Sequence, residues 1–217
     1  RFPVIDVRVF KSRDSVGVRG IRLVGDDELI AMSIVRHAEF DSDTRDRYLR
    51  WSNARRRAEG EGESSADPLP SAPEQADEMA AAEQFVLSIT ENGYGKRTSA
   101  YEYRVTGRGG QGIINIEASD RNGPVVASAP VEEDHHIMLV TDTGRLIRTP
   151  VHDIRIAGRN TQGVTLFDVE PNERVVSVAW LSEQNDGEDA DDDGDDGETG
   201  DTPNVAPSDS PGNTDDE

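Results

Sequence analysis

A repeat within the sequence constrains the fold of this chain more than any other feature. The motif T-x-x-G, followed by an arginine seven residues after the threonine, occurs twice and ends at Arg97 and at Arg148, 51 positions apart. A glycine follows each of these arginines by 15 positions, at Gly112 and Gly163. A repeat of this length indicates similar structural units packed side by side.

A third, incomplete copy opens the sequence. In all three copies an arginine lies four positions before the recurring glycine, and an apolar β-branched residue follows that glycine. The arginine and glycine pairs are Arg13 and Gly17, Arg108 and Gly112, and Arg159 and Gly163. A further apolar pair recurs at 29–30, 125–126 and 175–176. Because the first copy starts at Arg1 and lacks the T-x-x-G motif, we expect the chain to begin inside a unit, with further units upstream.

Each unit reads as a set of β-strands. Short apolar runs at 85–89 and 137–141 are rich in β-forming residues and lead into turns at Gly93 and Gly144. Glycine supplies the positive φ that a tight hairpin requires. About four strands in a unit of roughly 50 residues is typical of a propeller blade. A helical solenoid is excluded because no stretch with a 3.6-residue period recurs.

The repeat divides the chain into five segments. We predict the C-terminal part of a blade over 1–36, an insertion over 37–84, full blades over 85–133 and 134–182, and an acidic tail over 183–217. The predicted fold class is therefore all-β, a propeller-like assembly of about two and a half blades. That number of blades cannot close a ring.

The insertion divides into a helical part and a linker. Residues 42–58 are good helix formers after an N-cap candidate and predict a short helix, while the Gly-, Ser-, Pro- and Glu-rich stretch 60–76 predicts a flexible linker. The arginines at 55–57 are interpreted as a solvated helix end, with phosphate contact as the alternative. The helix also carries three large side chains able to rest on a neighbouring surface: Tyr48, Leu49 and Trp51.

Charge is distributed very unevenly. The chain has 44 acidic and 23 basic residues and a net charge of -21, but residues 183–217 carry 15 acidic residues and no Lys or Arg. Such a tail repels itself and is expected to be disordered. A calcium-loop fragment beginning at Asp189 lacks the glutamate required at position twelve, where Gly200 stands. The repeat units are neutral overall, which still permits a basic face.

The sequence predicts no catalytic, cofactor-binding or metal-binding residues. The glycines at 107–112 match G-x-G-x-x-G, but a strand-like run at 113–116 follows where a dinucleotide site needs a helix. His135 and His136 beside Asp134 fit a surface turn better than a metal site. The chain has no cysteine, no apolar run long enough to cross a membrane and no signal segment. The default expectation is therefore a soluble, intracellular protein.

Arginines recur at matching positions and are the main candidates for function. One class contains Arg1, Arg97 and Arg148, a second contains Arg13, Arg108 and Arg159, and a third contains Arg8 and Arg155 with Arg104 close to it. A stripe of guanidinium groups suits a polyanion with regularly spaced phosphates. The alternative is that these arginines are struts between blades, paired with Asp6, Glu102 and Asp153. The charges alone leave both interpretations open.

Several segments resemble the family of C-terminal domains found in the A subunit of bacterial DNA gyrase. They are G-K-R-T-S-A-Y at 95–101, R-V-T-G-R-G-G-Q-G-I-I at 104–114, I-M-L-V-T-D-T-G at 137–144 and I-R-I-A-G-R-N-T-Q-G-V at 154–164. The resemblance covers 1–36 and 85–182, and an acidic tail is also typical of that protein. The family's hallmark box, Q-R-R-G-G-K-G, has a degenerate counterpart here, T-G-R-G-G-Q-G at 106–112, as expected of a later blade.

The resemblance implies a partial six-bladed β-pinwheel, a propeller variant whose blades exchange strands. It implies a basic perimeter that wraps duplex DNA and supports ATP-dependent negative supercoiling by a type IIA topoisomerase. It places the catalytic tyrosine upstream, outside this chain. It also implies partnership with the B subunit of gyrase in a heterotetramer of two A and two B subunits, with ATP and Mg²⁺ entering through the B subunit and no cofactor bound here.

The DNA-contacting residues expected from the repeat and the resemblance are basic side chains of the three copies. They are Arg1, Arg8, Lys11, Arg13, Lys96, Arg97, Arg104, Arg108, Arg148, Arg155 and Arg159. The resemblance places the protein in the bacterial cytoplasm, associated with the chromosome. Two alternatives remain at this point: the corresponding domain in the A subunit of topoisomerase IV, and a propeller-like interaction scaffold without a nucleic-acid role.

Overall fold

The computed structural model describes residues 1–60 and 69–182, and this part of the chain contains seven strands and two helices. The helices are α1 (Ser42–Gly60) and α2 (Ala76–Ala82). The strands are β1 (Phe85–Thr90), β2 (Tyr94–Ser99), β3 (Val125–Val131), β4 (His136–Thr141), β5 (Leu146–Pro150), β6 (Val164–Thr165) and β7 (Val175–Leu181). Three short 3-10 helices, Val4–Asp6, Ala100–Glu102 and Val151–Asp153, complete the elements. The acidic tail, its calcium-loop fragment and part of the predicted linker lie outside the described residues.

The two complete copies of the repeat form the same three-stranded arrangement. In the first of them β1 pairs antiparallel with β2 and β3, and in the second β4 pairs antiparallel with β5 and β7. Both outer pairings shift register at the same place, after Ile89 and after Val140. The apolar pairs at 125–126 and 175–176 begin β3 and β7. The 51-residue period is therefore a structural period.

The hairpin turns depend on glycine, as the T-x-x-G motif predicts. Gly93 has a φ of 74° and Gly144 a φ of 84°, in the left-handed region. At Gly93 the space is also closed, because a Cβ there would lie 2.1 Å from the carbonyl oxygen of Phe167. Both the backbone conformation and the close approach exclude a larger residue at this turn.

The last copy supplies a strand to the sheet of the copy before it. β6 pairs with β2 through Tyr94↔Thr165 and Gly95↔Val164, so the sheet that contains β1 has the order β3-β1-β2-β6. Gly163, with a φ of 83°, permits this approach, since a Cβ there would lie 2.7 Å from the Gly95 carbonyl oxygen. Each complete copy thus keeps three strands of its own, and the fourth strand of this sheet comes from the next copy.

Apolar side chains of both complete copies form one core. Its fully buried members include Leu87 and Ile89 of β1 and Ile137 and Leu139 of β4. Burying a side chain of this size stabilises the fold by about 1.5–3 kcal/mol relative to leaving it exposed. The remaining buried members of this core are Val131, Val151, Ile154, Phe167 and Val175.

The insertion packs on the repeat units through a second apolar cluster. The helix predicted over 42–58 is α1, which runs two residues further, whereas α2 was not predicted. Tyr48 of α1 and Met79 of α2 are almost completely buried against Tyr101. The Tyr48 hydroxyl donates to Glu83 Oε2 at 2.8 Å. Among the described residues, no helix is long and apolar enough to cross a membrane.

The incomplete copy, residues 1–36, forms no strands. Residues 1–36 contain one 3-10 helix, and large apolar side chains such as Ile5, Val9 and Val16 are more than four-fifths exposed. The stretch equivalent to β3 has no partner strand equivalent to β1 among the described residues. The turns of a unit are therefore present without its sheet, and the partial blade over 1–36 stays a prediction.

Candidate nucleic-acid interface

Three arginines occupy the same local position in successive copies. Each of the three 3-10 helices is followed by one extended residue and then by an arginine, and all three arginines are exposed. They are Arg8, Arg104 and Arg155. Sequence reasoning placed Arg104 only close to this class, whereas the structure places it in the class.

The backbone geometry turns this class outward. Ile154 before Arg155 is buried and Ile156 after it is half-buried, and neighbouring side chains of an extended chain point in opposite directions. The segment is fixed by backbone hydrogen bonds on both sides of Ile156. Arg97 N donates to Arg155 O at 3.0 Å, and Ala157 N donates to Arg97 O at 2.8 Å. Arg155 is therefore exposed because its neighbours are anchored.

The second arginine class connects consecutive copies. Arg159 Nη1 donates to the carbonyl oxygen of Ile114 at 2.6 Å, and Arg108 Nη1 donates to that of Arg19. Arg19 and Ile114 both stand two residues after the recurring glycine of the preceding copy. This is the strut interpretation, but with carbonyl acceptors in place of carboxylates. Arg108 and Arg159 are only half-buried, so part of each remains at the surface.

Two of the three arginines of the first class are withdrawn from the surface, Arg97 almost completely and Arg1 in part. Arg97 is 5% exposed, and its guanidinium donates to Ile154 O at 2.7 Å, to His152 O at 3.0 Å and to Glu133 Oε1 at 3.1 Å. Arg1 is half-buried, and its Nη1 donates to Ala100 O at 3.1 Å. Contrary to the expectation of a DNA-contacting role, Arg97 joins the two sheets.

Lys96 is also buried, contrary to expectation. Its ammonium donates to the carbonyl oxygens of Gly158 at 2.5 Å, Arg159 at 2.7 Å and Thr161 at 3.2 Å, and to Thr161 Oγ1 at 3.2 Å. Burial lowers the pKa of Lys96 to about 8, so the side chain is still protonated at neutral pH. Lys96 fixes the loop before Gly163. Neither Lys96 nor Arg97 is therefore placed to contact DNA.

The other basic candidates lie at the surface. Lys11 and Arg13 are exposed in the incomplete copy, where Arg13 lies 4.0 Å from Asp14; such an exposed pair contributes little. Arg148 is exposed on β5, and its Nε donates to His136 Nδ1 at 3.2 Å. Sequence reasoning missed the exposed Arg121, whose guanidinium lies 5.1 Å from the Tyr94 ring, because it belongs to no recurring class.

The glycine loop at 107–112 is used within the fold. Gly109 N donates to Gly20 O at 2.9 Å, and Gly110 O accepts from Arg22 N at 2.8 Å. These contacts tie the loop to the incomplete copy and leave it unsuited to cradle a nucleotide phosphate. The residues that follow, 113–116, form no helix, and the strand that the sequence predicts there is not present either.

The turn at 132–135 is the place where acidic and imidazole groups cluster among the described residues. Glu132, Asp134 and His135 bring one possible ligand atom each within 4.8 Å of one another. His135 Nδ1 accepts from Glu132 N at 3.3 Å, and His135 N donates to Glu132 O at 3.3 Å. These hydrogen bonds describe a closed surface turn.

A buried carboxylate clamps the hairpin between β4 and β5. Glu173 accepts hydrogen bonds from the hydroxyls of Thr141 at 2.7 Å and Thr143 at 2.6 Å, and it pairs with Arg145. Hydrogen bonds lower the pKa of Glu173 to about 2. The largest effect comes from the Thr143 hydroxyl and the next from the Glu170 amide, and Thr141 and Arg145 add smaller effects. The carboxylate thus fixes the turn that carries the T-x-x-G motif.

We expect Glu173 to make the fold sensitive to acid. Because its pKa is lower in the folded than in the unfolded chain, Glu173 adds to the free energy of unfolding above pH about 4.5. This contribution is lost as pH falls towards about 2. In the Glu173→Gln variant this part of the acid dependence should disappear. Urea unfolding at several pH values, compared with Glu170→Gln as the exposed control, measures it. Parallel pH profiles for wild type and Glu173→Gln would contradict the prediction.

Comparison with known proteins identifies the family. A profile described as "DNA gyrase C-terminal domain, beta-propeller" matches residues 1–36, 84–132 and 135–179. The A subunit of DNA gyrase from Rickettsia bellii is 46% identical over 189 residues, 86% of this chain and 21% of the relative. That from Granulibacter bethesdensis is 48% identical over 187 residues, 79% of this chain and 20% of the relative.

A solved structure of a DNA gyrase A C-terminal domain is also similar, with 28% identity and a TM-score of 0.43, over 46% of this chain and 34% of that one. The chain spans about a fifth of the length of the two curated gyrase relatives. The family profile covers most of the three copies and leaves out most of the insertion. Together with the repeated antiparallel sheets, this match shows that the chain belongs to the DNA gyrase C-terminal domain family, which has a β-propeller fold.

Proposed function

We propose that this chain is the DNA-binding and DNA-wrapping part of a gyrase A subunit. The observation that carries the proposal is the placement of Arg8, Arg104 and Arg155, which are exposed at the same position after the 3-10 helix of three successive copies. Guanidinium groups repeated in this way provide forked donors for successive phosphates of one duplex. Further charge comes from the exposed Lys11, Arg13 and Arg148 and, in part, from the half-buried Arg1, Arg108 and Arg159.

In the proposed supercoiling reaction this chain binds duplex DNA and bends it. Bending a duplex over 20–30 base pairs costs about 1–6 kcal/mol, and contacts from successive blades offset that cost. Contacts to phosphates do not distinguish one base sequence from another. Binding should therefore be nearly independent of sequence and strongly dependent on salt. The wrapped segment would be presented to the cleavage part of a type IIA topoisomerase, whose strand passage then yields negative supercoils.

The partners follow from the same proposal. Duplex DNA is the direct partner, and the B subunit of gyrase completes a heterotetramer of two A and two B subunits in the bacterial cytoplasm. ATP and Mg²⁺ would enter the reaction through the B subunit. The two curated relatives are A subunits of DNA gyrase, which supports gyrase over topoisomerase IV. An interaction scaffold without DNA binding is the alternative that the next experiment separates.

We expect Arg155→Glu to weaken binding of a 40-base-pair duplex by about tenfold at roughly 0.1 M salt, and Arg104→Glu with Arg155→Glu by about a hundredfold. For the wild type, log K should fall with log salt with a slope near -7 if about eight phosphates are neutralised. Fluorescence anisotropy of the labelled duplex measures both quantities.

The matched control is Arg174→Glu, an exposed arginine of the same copy that lies 3.8 Å from Glu91. It changes the net charge by the same amount but does not belong to the recurring class. If Arg174→Glu weakens binding as much as Arg155→Glu, the effect is one of overall charge. A flat salt response of the wild type would contradict DNA binding itself.

A further inference from the structure

An arginine-lined cleft lies between the insertion and the repeat units. It is open, has a volume of about 770 Å³ and runs along α1, with residues 101, 102, 104, 158 and 159 on its other side. Five arginines and two acidic residues line it. They are Arg45, Arg50, Arg57, Arg104 and Arg159, with Asp46 and Glu102. The lining is therefore strongly positive, in contrast to the chain as a whole.

The positive charge is concentrated in α1. The 19 residues of this helix include six arginines and three acidic residues, although the insertion from 37 to 84 has twelve acidic and six basic residues. All six basic residues of the insertion thus lie on one helix. The charge is a property of the helix and not of the surrounding segment.

The helix presents two different faces. The helix residues that line the cleft are 42, 45, 46, 49, 50, 53, 54 and 57, and their spacing of three or four places them along one broad side. A neighbouring side of the helix packs on Tyr101 of the repeat units and on the end of the insertion, where Tyr48 is buried and Arg56 Nη2 lies 2.6 Å from Glu83 Oε2. The pair Arg56–Glu83 is largely shielded from solvent. This anchorage fixes the direction in which the cleft arginines point.

The positive groups of the cleft are incompletely compensated. Within the described part of the chain, Arg45 Nε and Arg159 Nε are buried without a hydrogen-bond partner. Arg50 and Arg57 donate through Nε to carbonyl oxygens of their own helix, those of Asp46 at 3.1 Å and Asn53 at 3.2 Å. Two acidic residues therefore face five arginines in the lining, and a bound anion would offset this excess of positive charge.

Repulsion among these groups is visible outside the cleft as well. Burial, and after it the positive charge of Arg45, lowers the pKa of the Arg1 guanidinium. Glu102 Oε2 accepts the Arg159 backbone N–H at 2.8 Å, and Glu102 and Asp46 are the two acidic residues that face the five arginines of the lining. The local potential is therefore positive where the helix meets the repeat units.

The dimensions of the cleft favour a polymeric anion. Arg45 and Arg57 are twelve residues apart, which corresponds to about 18 Å along a helix. One strand of duplex DNA carries a phosphate for roughly every 3.4 Å of its axis, so the arginines match several phosphates of one strand. Arg104 belongs both to the cleft lining and to the recurring class of exposed arginines. The cleft is thus continuous with the proposed path of the DNA.

We propose that the cleft face of α1, with Arg45, Arg50 and Arg57, is an additional site for the sugar-phosphate backbone of duplex DNA, next to Arg104 and Arg159. The inference rests on the proposed function, since the bound segment is the one that the blades hold. The insertion then lengthens the protein surface followed by the DNA. Because these contacts go to phosphates, they add affinity and not sequence preference.

The first test compares two double variants of the same helix in the 217-residue chain. Arg50→Glu with Arg57→Glu reverses the charge of two residues in the cleft. Arg47→Glu with Arg55→Glu reverses the charge of two exposed residues outside the cleft. The cleft pair should weaken binding of the 40-base-pair duplex at least about tenfold and make the salt slope shallower by about 2. The control pair should change the affinity less than about threefold. Equal losses, or no loss in the cleft pair, overturn the proposal.

The second test needs no change of charge. The chain contains no cysteine, so Asn53→Cys and Ala58→Cys each provide one attachment point on α1 for a photoactivatable aryl azide. Asn53 lines the cleft and Ala58 does not. We expect crosslinking to the duplex from position 53 and little from position 58. No DNA crosslink from position 53 overturns the proposal even if the charge variants bind weakly.

The two proposals fail in different ways. If the wild type binds DNA and Arg155→Glu weakens it while the cleft pair does not, only the role of the insertion is wrong. If the cleft pair binds DNA more tightly than the wild type, the cleft holds something other than DNA, such as an acidic peptide segment. If the wild type shows no salt-dependent DNA binding, the proposed function falls and the cleft proposal with it.

Discussion

Lys96→Met is expected to lower the free energy of unfolding by about 4 kcal/mol and the melting temperature by roughly 10 °C. The side chain keeps its length but loses every donor. Four oxygen acceptors, the carbonyls of Gly158, Arg159 and Thr161 and the hydroxyl of Thr161, would then lack their ammonium partner. The loss exceeds the gain from no longer burying a charge, since the acceptors remain where they are.

The chain supplies its own control for this prediction. It contains two lysines, Lys96 and the exposed Lys11, so Lys11→Met makes the same chemical change at the surface and should alter stability by less than about 0.5 kcal/mol. Urea and thermal unfolding followed by circular dichroism measure both variants. Equal stabilities of the two variants would show that the loop before Gly163 does not depend on the ammonium.

The repeat allowed much of the fold to be predicted from the sequence. The T-x-x-G motif predicts a hairpin because a tight turn needs a positive φ, and Gly93 and Gly144 adopt one. The apolar runs predict strands because short runs of β-forming residues that end in turns suit a buried strand. The resemblance implied strand exchange, and the pairing of β6 with β2 agrees with it.

The direction of each basic side chain could not be predicted in the same way. A recurring position places two arginines at the same point of the local fold, but their surroundings can differ: Arg97 is buried, whereas Arg148 of the same class is exposed. Lys96 and Arg97 are neighbours on β2 and therefore point to opposite faces, yet both are buried. The reason is that the next copy covers both faces at this point: the loop at 158–161 encloses Lys96, and the carbonyl oxygens of His152 and Ile154 enclose Arg97. That cover comes from the strand exchange, which no local pattern in β2 reveals.

The cleft could not be predicted from the sequence for a related reason. The arginines at 55–57 are consecutive in the sequence, but consecutive residues of a helix point in different directions. Arg56 pairs with Glu83, Arg55 lies against Glu59 at 3.4 Å, and of the three Arg57 alone lines the cleft. Its companions are spread through α1 at helical spacing. Their relation to the repeat units depends on how the insertion docks, and the apolar cluster around Tyr48 sets that docking.

Arg97→Met should separate the structural arginines from the proposed DNA contacts. The variant leaves the carbonyl oxygens of Ile154 and His152 and the carboxylate of Glu133 without this donor at the junction of the two sheets, and we expect a loss of about 3 kcal/mol of stability. Its affinity for duplex DNA, measured at low temperature where the variant is folded, should stay within about threefold of the wild type.

Arg155→Met should show the opposite behaviour. The Arg155 side chain is exposed, and the buried neighbour that anchors this segment, Ile154, is unchanged in the variant. Stability should therefore change by less than about 0.5 kcal/mol, while DNA affinity falls severalfold. Both methionine variants remove one guanidinium and one positive charge, so a uniform electrostatic effect would weaken DNA binding equally in the two. Equal affinities would place the DNA path elsewhere, whereas a fully stable Arg97→Met variant would show that the sheets do not need this strut.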